Sequence, residues 1–411
     1  MTTDEAIPGP EPGTGRPLPP IWLMGLGFLP LGASGSVTLI NVPQLLAANH
    51  VPEPQIAVVI TISLFPGFIG FFLAPMLDWR FSRRVYAIGF TVLAALLQFA
   101  ALLVTGDLTL LAVLLFVQGL AIGQCVAAVG GWFGNLTPTE QKGSLGVWFT
   151  VANLGAGGLV ASLAIPLLRG LPYVLGDALL SATLLLALPL FFWVECPPAD
   201  GRLASESFKA FAADVLALLR RPTVLWTLLL FLAPAASFAL TNTLGGLGRD
   251  FGASEAFVGL VGGLGISVAG VVGSLAVLGF AKLIPPRPLY LLIGLFGAAF
   301  SLLLVALQHT PFTFGVAMLG ENFCQAMAFS VASMIILRTV GHDNPLAATQ
   351  FGLLNSAGML PLTYMEAVDG HAYGALGGVN GSFLADAGVS GAACVLLALV
   401  LWTCRRWIPA I

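Results

Sequence analysis

The stretch FFLAPMLDWRFSRR, residues 71–84, decides how the chain is organised, because it places charges between two long apolar runs. Asp78 is followed by Arg80, Arg83 and Arg84, and the chain then returns to a largely apolar run, VYAIGFTVLAALLQFAALLV. A helix needs about 20 residues to cross the hydrocarbon core of a bilayer. The stretch therefore predicts a short charged turn at the edge of a membrane, between two spanning helices.

The composition of the whole chain supports a membrane environment. Of its 411 residues, 58% are hydrophobic and only 9% are charged, with a mean hydropathy of +0.96. A soluble domain carries about 25% charged residues, so this chain cannot cover its surface with polar groups. Its surroundings must be lipid over most of its height, and we expect a bilayer rather than a nucleic acid as its partner.

Apolar runs of spanning length recur twelve times, six before and six after a polar segment at 195–222. This pattern predicts an all-α membrane protein of two six-helix bundles, at 21–194 and 223–404. We expect a disordered cytoplasmic tail at 1–20, a cytoplasmic linker at 195–222 and a cytoplasmic tail at 405–411. The predicted spans lie near 21–47, 53–77, 84–105, 109–133, 141–168, 172–194, 223–247, 254–281, 286–308, 312–338, 346–368 and 382–404.

The positions of the cations indicate the orientation. If the N-terminus is cytoplasmic, every Lys and Arg except Arg169 and Arg249 faces the cytoplasm, which is 14 of 16. Short cytoplasmic loops carry such an excess of positive charge. We therefore expect a multi-pass membrane protein with both termini in the cytoplasm.

The linker contains an amphipathic pattern, ESFKAFAADVLALLRRP. Phe208, Phe211, Val215 and Leu218 recur on one helical face, which predicts a helix lying on the inner membrane surface. The alternative interpretation is a simple tether between the two bundles.

Motifs for cofactors or catalysis are absent from the sequence. It has no GxxxxGK[ST] phosphate loop and no CxxC or His cluster, so we expect no cofactor and no metal. GASG at 32–35 spells the motif of an intramembrane serine protease, but the four histidines fall in predicted loops. Without a base within reach the serine stays inert, and we expect no enzyme activity.

A second stretch narrows the class, GENFCQAMAFSVASMIILRTVGHDNPLAATQFGLLNSAG at 320–358. Its Glu-Asn pair in the tenth span and its Ala-Thr-Gln opening of the eleventh resemble the AmpG-type permeases. These belong to the peptide–acetyl-coenzyme A–drug transporter family of the major facilitator superfamily. LAPMLD at 73–78 and LTPTEQKGSLGVWFTVANLGAGGL at 136–159 are similar to the same family.

The resemblance implies the major facilitator fold, a monomer and secondary transport of a small molecule, with proton symport as the expected coupling. Relatives import anhydro-muropeptides, move acetyl-coenzyme A or take up siderophores, and all three substrates stay open here. In AmpG-type permeases a lysine stands in the second helix where this chain has Gly70. A transporter-like scaffold that acts as a sensor is the alternative from another class.

The resemblance also implies a role for the opening stretch. In the superfamily an Asp and basic residues between the second and third helices link the two bundles and separate when the inward gate opens. That role would fall on Asp78, Arg80, Arg83 and Arg84. The alternative is an ion pair on the surface, which contributes little.

Glu321 is the acid expected to lie deepest in the membrane. The tenth span enters from outside near residue 312, which puts Glu321 roughly 13 Å down at 1.5 Å per residue. An ionisable side chain at this depth is costly and usually functional. We interpret Glu321 as a proton-coupling or substrate-binding residue, with a neutral, hydrogen-bonded side chain as the alternative. Glu366 and Asp369 are expected near the outer surface, in contact with water.

Other polar residues within the spans are candidates for a substrate cavity. Each alone is typical of a hydrogen bond between helices, but together they would line one polar cavity. Trp132, Trp148 and Phe149 are interpreted as an interfacial aromatic belt. The cavity candidates are Ser34, Thr38, Gln118, Gln124, Asn153, Gln325, Gln350 and Asn355.

Overall fold

The computed structural model describes residues 18–198 and 208–404, and the regular elements within these ranges are helices. Apart from 18–20, the predicted tails at 1–20 and 405–411 lie outside the described residues. The helices of the first half are α1 (Ile21–Ala48), α2 (Glu53–Phe72), α3 (Arg83–Leu103), α4 (Leu108–Leu136), α5 (Thr139–Gly170) and α6 (Tyr173–Trp193).

The second half follows a linker helix, Phe208–Leu219, which is bent by 64° against the helix after it. Its helices are α7 (Pro222–Leu232), α8 (Glu255–Phe280), α9 (Pro286–Val305), α10 (Pro311–Val340), α11 (Ala347–Ala375) and α12 (Val379–Thr403).

Length and hydropathy alone identify ten of these helices in the described residues as able to cross a membrane. The two others are α7, which is short, and α11, which is 29 residues long but carries many polar side chains. The prediction of an all-α membrane protein built from two six-helix bundles is confirmed.

The helix ends follow from local chemistry. The Asp107 carboxylate accepts hydrogen bonds from the N–H groups of Thr109 and Leu110, each 3.1 Å away, and so caps α4. Thr310 and Thr313 form a capping box at the start of α10. At the other end of α10 the chain turns at Gly341, whose φ of 77° suits a residue without a side chain.

The seventh helix departs from the sequence prediction. A continuous span over 223–247 was wrong, because α7 ends at Leu232 and the chain unwinds before helical turns resume at Leu240–Thr243 and Leu244–Phe251. Pro234 causes the break, since a proline disfavours helical geometry in the residue before it. Ala233 accordingly has a ψ of 151°.

The two halves approach each other closely through glycines. A side chain on Gly131 of α4 would lie 2.5 Å from the backbone nitrogen of Ala348 in α11. A side chain on Gly146 of α5 would lie 2.7 Å from the backbone nitrogen of Met334 in α10. Small residues permit such backbone contacts between membrane helices.

The apolar face of the linker helix packs on protein. Phe211 and Leu218 are buried against Leu346, and Trp79 and Val215 pack around them. The Phe211 and Trp79 rings stack with centroids 6.2 Å apart. The predicted apolar face therefore covers the loops of both halves; the side chain of Phe208 lies outside the described residues.

The predicted aromatic belt is also wrong for two of its three members. Trp132 and Phe149 are fully buried, and Phe149 stacks on Phe28 with ring centroids 3.9 Å apart. Trp132 donates a hydrogen bond to the carbonyl of Glu195 at 2.9 Å. These rings fill the interior of the first bundle because the ends of α4 and α5 cross α1 there.

Candidate functional site

Asp78 lies where the two halves meet. A short 3₁₀ turn, Ala74–Asp78, follows α2 and directs the carboxylate to the start of α11. Oδ1 accepts hydrogen bonds from Arg83 Nε at 2.8 Å and from the Ala348 N–H at 3.2 Å. Oδ2 accepts from both the N–H and the hydroxyl of Thr349, each at 2.7 Å.

This carboxylate supplies the cap that α11 lacks. The residue at the N-cap position is Leu346, whose side chain cannot accept a hydrogen bond. The first N–H groups of a helix need acceptors and favour a negative charge. The first half therefore caps a helix of the second half.

Arg83 extends the same contact. Its Nη2 forms a salt bridge with Asp78 Oδ1 at 2.8 Å and donates to the carbonyls of Asn344 and Pro345, at 3.0 and 2.9 Å. The guanidinium thus ties the start of α3 to the loop before α11.

Arg80 and Arg84 make their described contacts within the first half. The Arg80 guanidinium lies 5.8 Å from the centre of the Trp79 ring. Arg84 Nη2 donates to the carbonyl of Val194 at 2.5 Å and lies over Trp132. Of the three predicted arginines, Arg83 is the one that the structure brings to the second half.

Sequence reasoning missed further members of this contact. Lys142, at the start of α5, is buried and its Nζ donates to the Gly341 carbonyl at 2.6 Å. Asn135, at the end of α4, accepts from the Asn344 N–H at 3.0 Å. Lys142 stands in TPTEQKG at the edge of a span, which was the available signal. We call Asp78, Arg83, Asn135 and Lys142 with residues 341–350 the inner contact.

A cavity of about 230 Å³ opens beside the inner contact. Its walls come from both halves and from the first residues of the linker. They include Asp78, Arg83, Trp132, Asn135, Cys196 and Asn344.

Glu321 occupies the interior of the second bundle. It is fully buried on α10, and its Oε1 accepts a hydrogen bond from Ser301 of α9 at 2.7 Å. Its Oε2 has no partner among the described residues. The carboxyl interacts electrostatically with Asp369 of α11 and Asp386 of α12.

The expectation that Asp369 is solvated was wrong, because the side chain is 1% exposed. It points into the bundle, whereas Glu366, one turn earlier, is half-buried and accepts a hydrogen bond from Asn242. Hydropathy gives a residue's depth but not the helix face it occupies. In the described ranges, no group of three or more His, Cys, Asp or Glu residues is arranged to hold a metal ion.

The cavity candidates fall into separate clusters. Gln118 donates to Ser34 at 3.1 Å and to Gln98 at 2.8 Å, which joins α1, α3 and α4. Gln124 donates to the Gly70 carbonyl at 2.8 Å, where α2 tightens at its end. These contacts stabilise the first bundle.

Two candidates of the second half form hydrogen bonds in two separate regions. Gln325 donates to Thr241 at 2.6 Å and to the Phe238 carbonyl at 3.3 Å, so it holds the unwound part after α7. Gln350 donates to the Thr339 carbonyl at 2.8 Å and belongs to the inner contact. The last three candidates are Thr38, which is buried, and Asn153 and Asn355, which are half-buried.

Comparison with known proteins agrees with this architecture. A family model described as Major Facilitator Superfamily matches residues 24–363, and the chain belongs to this superfamily. It is a multi-pass membrane transporter rather than an enzyme. No curated protein matches the sequence at a significant level.

Several solved transporters share the fold. The proton:xylose symporter XylE, bound to 6-bromo-6-deoxy-D-glucose, is 16% identical, with 95% of each chain covered and a TM-score of 0.70. The E. coli fucose:proton symporter FucP is 16% identical over 92% of this chain and 98% of its own, with a TM-score of 0.70. A bacterial homologue of the iron transporter ferroportin is 17% identical over 94% and 100%, with a TM-score of 0.61.

Proposed function

We propose that this protein is a proton-coupled secondary transporter that imports a polar or amphiphilic solute across a bacterial inner membrane. The carrying observation is Glu321, a fully buried carboxyl with one oxygen bonded to Ser301 and the other without a described partner. Ionisable groups in this position within a membrane commonly mark proton pathways.

The chemistry of Glu321 suits this role. A carboxyl group removed from water is more stable when it carries a proton, and it releases that proton when water or a cation reaches it. Exposure first to one side of the membrane and then to the other would let a pH gradient drive the cycle. Two of the structural neighbours, XylE and FucP, are named as proton symporters of sugars, which supports the same coupling here.

The inner contact supports alternating access. We take the arginine-rich side, with Asp78 and Arg83, as cytoplasmic, in agreement with the positive-inside pattern. The two halves are then held together on the cytoplasmic side by Asp78, Arg83 and Lys142. These bonds must separate before a solute can leave inward, so we assign Asp78 and Arg83 to the inner gate.

The resemblance to AmpG-type permeases favours a muropeptide as the solute, with a siderophore or acetyl-coenzyme A as the alternatives. AmpG-type permeases have a lysine at the position of Gly70, so this chain has no cation there. The backbone carbonyl of Gly70 accepts a hydrogen bond from the Gln124 amide. The missing cation weighs against a multiply anionic solute. We expect a monomer with both termini in the cytoplasm.

Proteoliposome uptake tests this proposal. The purified protein is first screened for thermal stabilisation by muropeptide, siderophore and acetyl-coenzyme A, and the stabilising solute is then offered to vesicles with an acidic exterior. We expect accumulation against a concentration gradient that a protonophore abolishes. Accumulation that is unaffected by the protonophore would rule out proton coupling. Binding of the solute without transport would favour the sensor alternative.

A further inference from the structure

Three carboxyl groups from three helices are buried inside the second bundle and interact electrostatically. Glu321 of α10, Asp369 of α11 and Asp386 of α12 are exposed by 0%, 1% and 3%. Glu321 interacts electrostatically with both aspartates, and Asp369 interacts with Asp386. We call these three residues the carboxyl triad.

Most oxygens of the triad have no hydrogen-bond partner among the described residues. They are Glu321 Oε2, Asp386 Oδ1 and both carboxylate oxygens of Asp369. The hydroxyl of Ser390, one turn beyond Asp386, is also buried and lies within reach of the Asp386 carboxyl. These buried oxygens therefore lack the partners that buried polar atoms normally have.

Among the described residues, no cation contributes to the electrostatics of the three carboxyls. The titratable groups that face the triad are Glu366 of α11 and the Cys324 thiol of α10. The neighbouring α9 contributes the Ser301 hydroxyl to Glu321, and Asn242, after α7, contributes its amide to Glu366. Three adjacent carboxylates cannot all be ionised in such a place, so protons must be shared among them.

The triad is also arranged in depth. Asp369 lies six residues from the end of α11, Asp386 seven from the start of α12 and Glu321 ten from the start of α10. At 1.5 Å per residue these positions are roughly 9, 10 and 15 Å from the ends opposite the inner contact. Glu366 is a fourth, half-buried carboxyl, which accepts a hydrogen bond from Asn242 in the segment after α7.

We infer that Asp369 and Asp386 deliver the transported proton to Glu321 from the side opposite the inner contact. No hydrogen bond joins two of these carboxyls among the described residues, so each transfer passes through an intervening water molecule. The O–H bond of a protonated carboxyl breaks as its proton goes to the water, and the water gives up a proton to form a new O–H bond on the accepting carboxylate. The number of protons in the triad is unchanged by the transfer, and the negative charge moves the other way. This inference rests on the proposed proton coupling and adds two residues to it.

Infrared titration of the purified full-length protein tests the inference without a substrate. The carbonyl band of protonated buried carboxyls is followed against pH in wild type, Glu321→Gln, Asp369→Asn and Asp386→Asn. Each substitution should remove one component and displace the titration midpoint of the remaining two by about one pH unit, because interacting groups titrate as a set.

Asp177→Asn is the matched control. Asp177 is a fully buried carboxyl on α6 of the first bundle, with Ser181 donating to it at 3.2 Å. Its loss should remove a carboxyl component and leave the midpoint of the triad unchanged. A displacement as large as that of Asp386→Asn would mean that the effect is not specific to the triad and would overturn the inference.

The outcomes separate this inference from the proposed function. If Glu321 titrates identically in both aspartate variants, the delivery role is wrong while Glu321 remains a coupling site. If Glu321→Gln removes no carboxyl component, both proposals fail. Should a variant not fold, the wild-type band decides, because a triad titrates over a wider pH range than one group and a single-group curve would contradict it.

Discussion

Both the backbone N–H and the hydroxyl of Thr349 donate to Oδ2 of Asp78, so a carboxylate of the first bundle caps a helix of the second. Removal of an N-cap costs about 1 kcal/mol, and a hydrogen bond to a charged group contributes about 1.5–3 kcal/mol. Such energies hold two halves together firmly and still allow them to separate during a transport cycle. If Asp78 acts as proposed in the inner gate, closing that gate and capping α11 are one interaction.

Asp78→Asn should open the inner side more often. The amide keeps the shape of the side chain but offers one acceptor oxygen where the carboxylate offers two, and it loses the charge that attracts Arg83. Cys196, which lines the adjacent cavity, is a native reporter of this opening. In a variant that retains Cys196 alone among the cysteines, we expect maleimide labelling to accelerate about ten-fold, which corresponds to about 1.4 kcal/mol.

Arg80→Ala is the control for that experiment. Arg80 belongs to the same turn but lies over Trp79. Its removal should leave the labelling rate of Cys196 unchanged. If Cys196 is labelled at the same rate in wild type and Asp78→Asn, Asp78 is only a structural ion pair and not part of a gate.

Gly131→Ala should disfavour the same closed state by steric means. The added carbon would lie 2.5 Å from the backbone nitrogen of Ala348, and neither helix backbone yields easily. Overpacking of this kind costs about 1–3 kcal/mol. Gly123→Ala on the same helix meets nothing within 4 Å and is the matched control. Faster labelling of Cys196 is expected in Gly131→Ala alone, and slower labelling there would contradict the closed contact between α4 and α11.

The fold could be read from the sequence because spanning length and hydropathy are local properties. The interruption of α7 was not predicted, because the apolar residues around Pro234 suggested a continuous span and the effect of the proline was neglected. Helix α11 falls below a hydropathy criterion because its polar residues serve the inner contact and the triad. Its place was predicted from the apolar run near 346–368, which is long enough to span a membrane.

The site could be predicted only in part, since a sequence gives depth but not the face on which a side chain lies. Glu321 was singled out for its depth, but Asp386 was not, and Asp369 was assigned to water. Both aspartates are buried because α11 and α12 turn those faces toward α10. Lys142 was counted only as a topology signal, and its bond to Gly341 depends on a contact between distant segments.

The orientation of the chain is tested by reporter fusions. Fusions after Arg84 and Arg221 should report a cytoplasmic position, and a fusion after Arg249 should report a periplasmic one, because an even number of spans precedes the first two sites. Enzymatic reporters that are active on only one side of the membrane measure this directly. A periplasmic signal at Arg221 would contradict the division into six and six helices.

Transport by Glu321→Gln in proteoliposomes tests the central claim most directly. The amide keeps the size of the side chain and can still bond to Ser301, but it cannot release a proton. With the solute that stabilises the purified protein, the variant should lose accumulation driven by a pH gradient and keep counterflow exchange, which needs no net proton movement. Continued accumulation against a gradient would contradict coupling through Glu321, and loss of exchange as well would make the residue a substrate contact or a packing requirement.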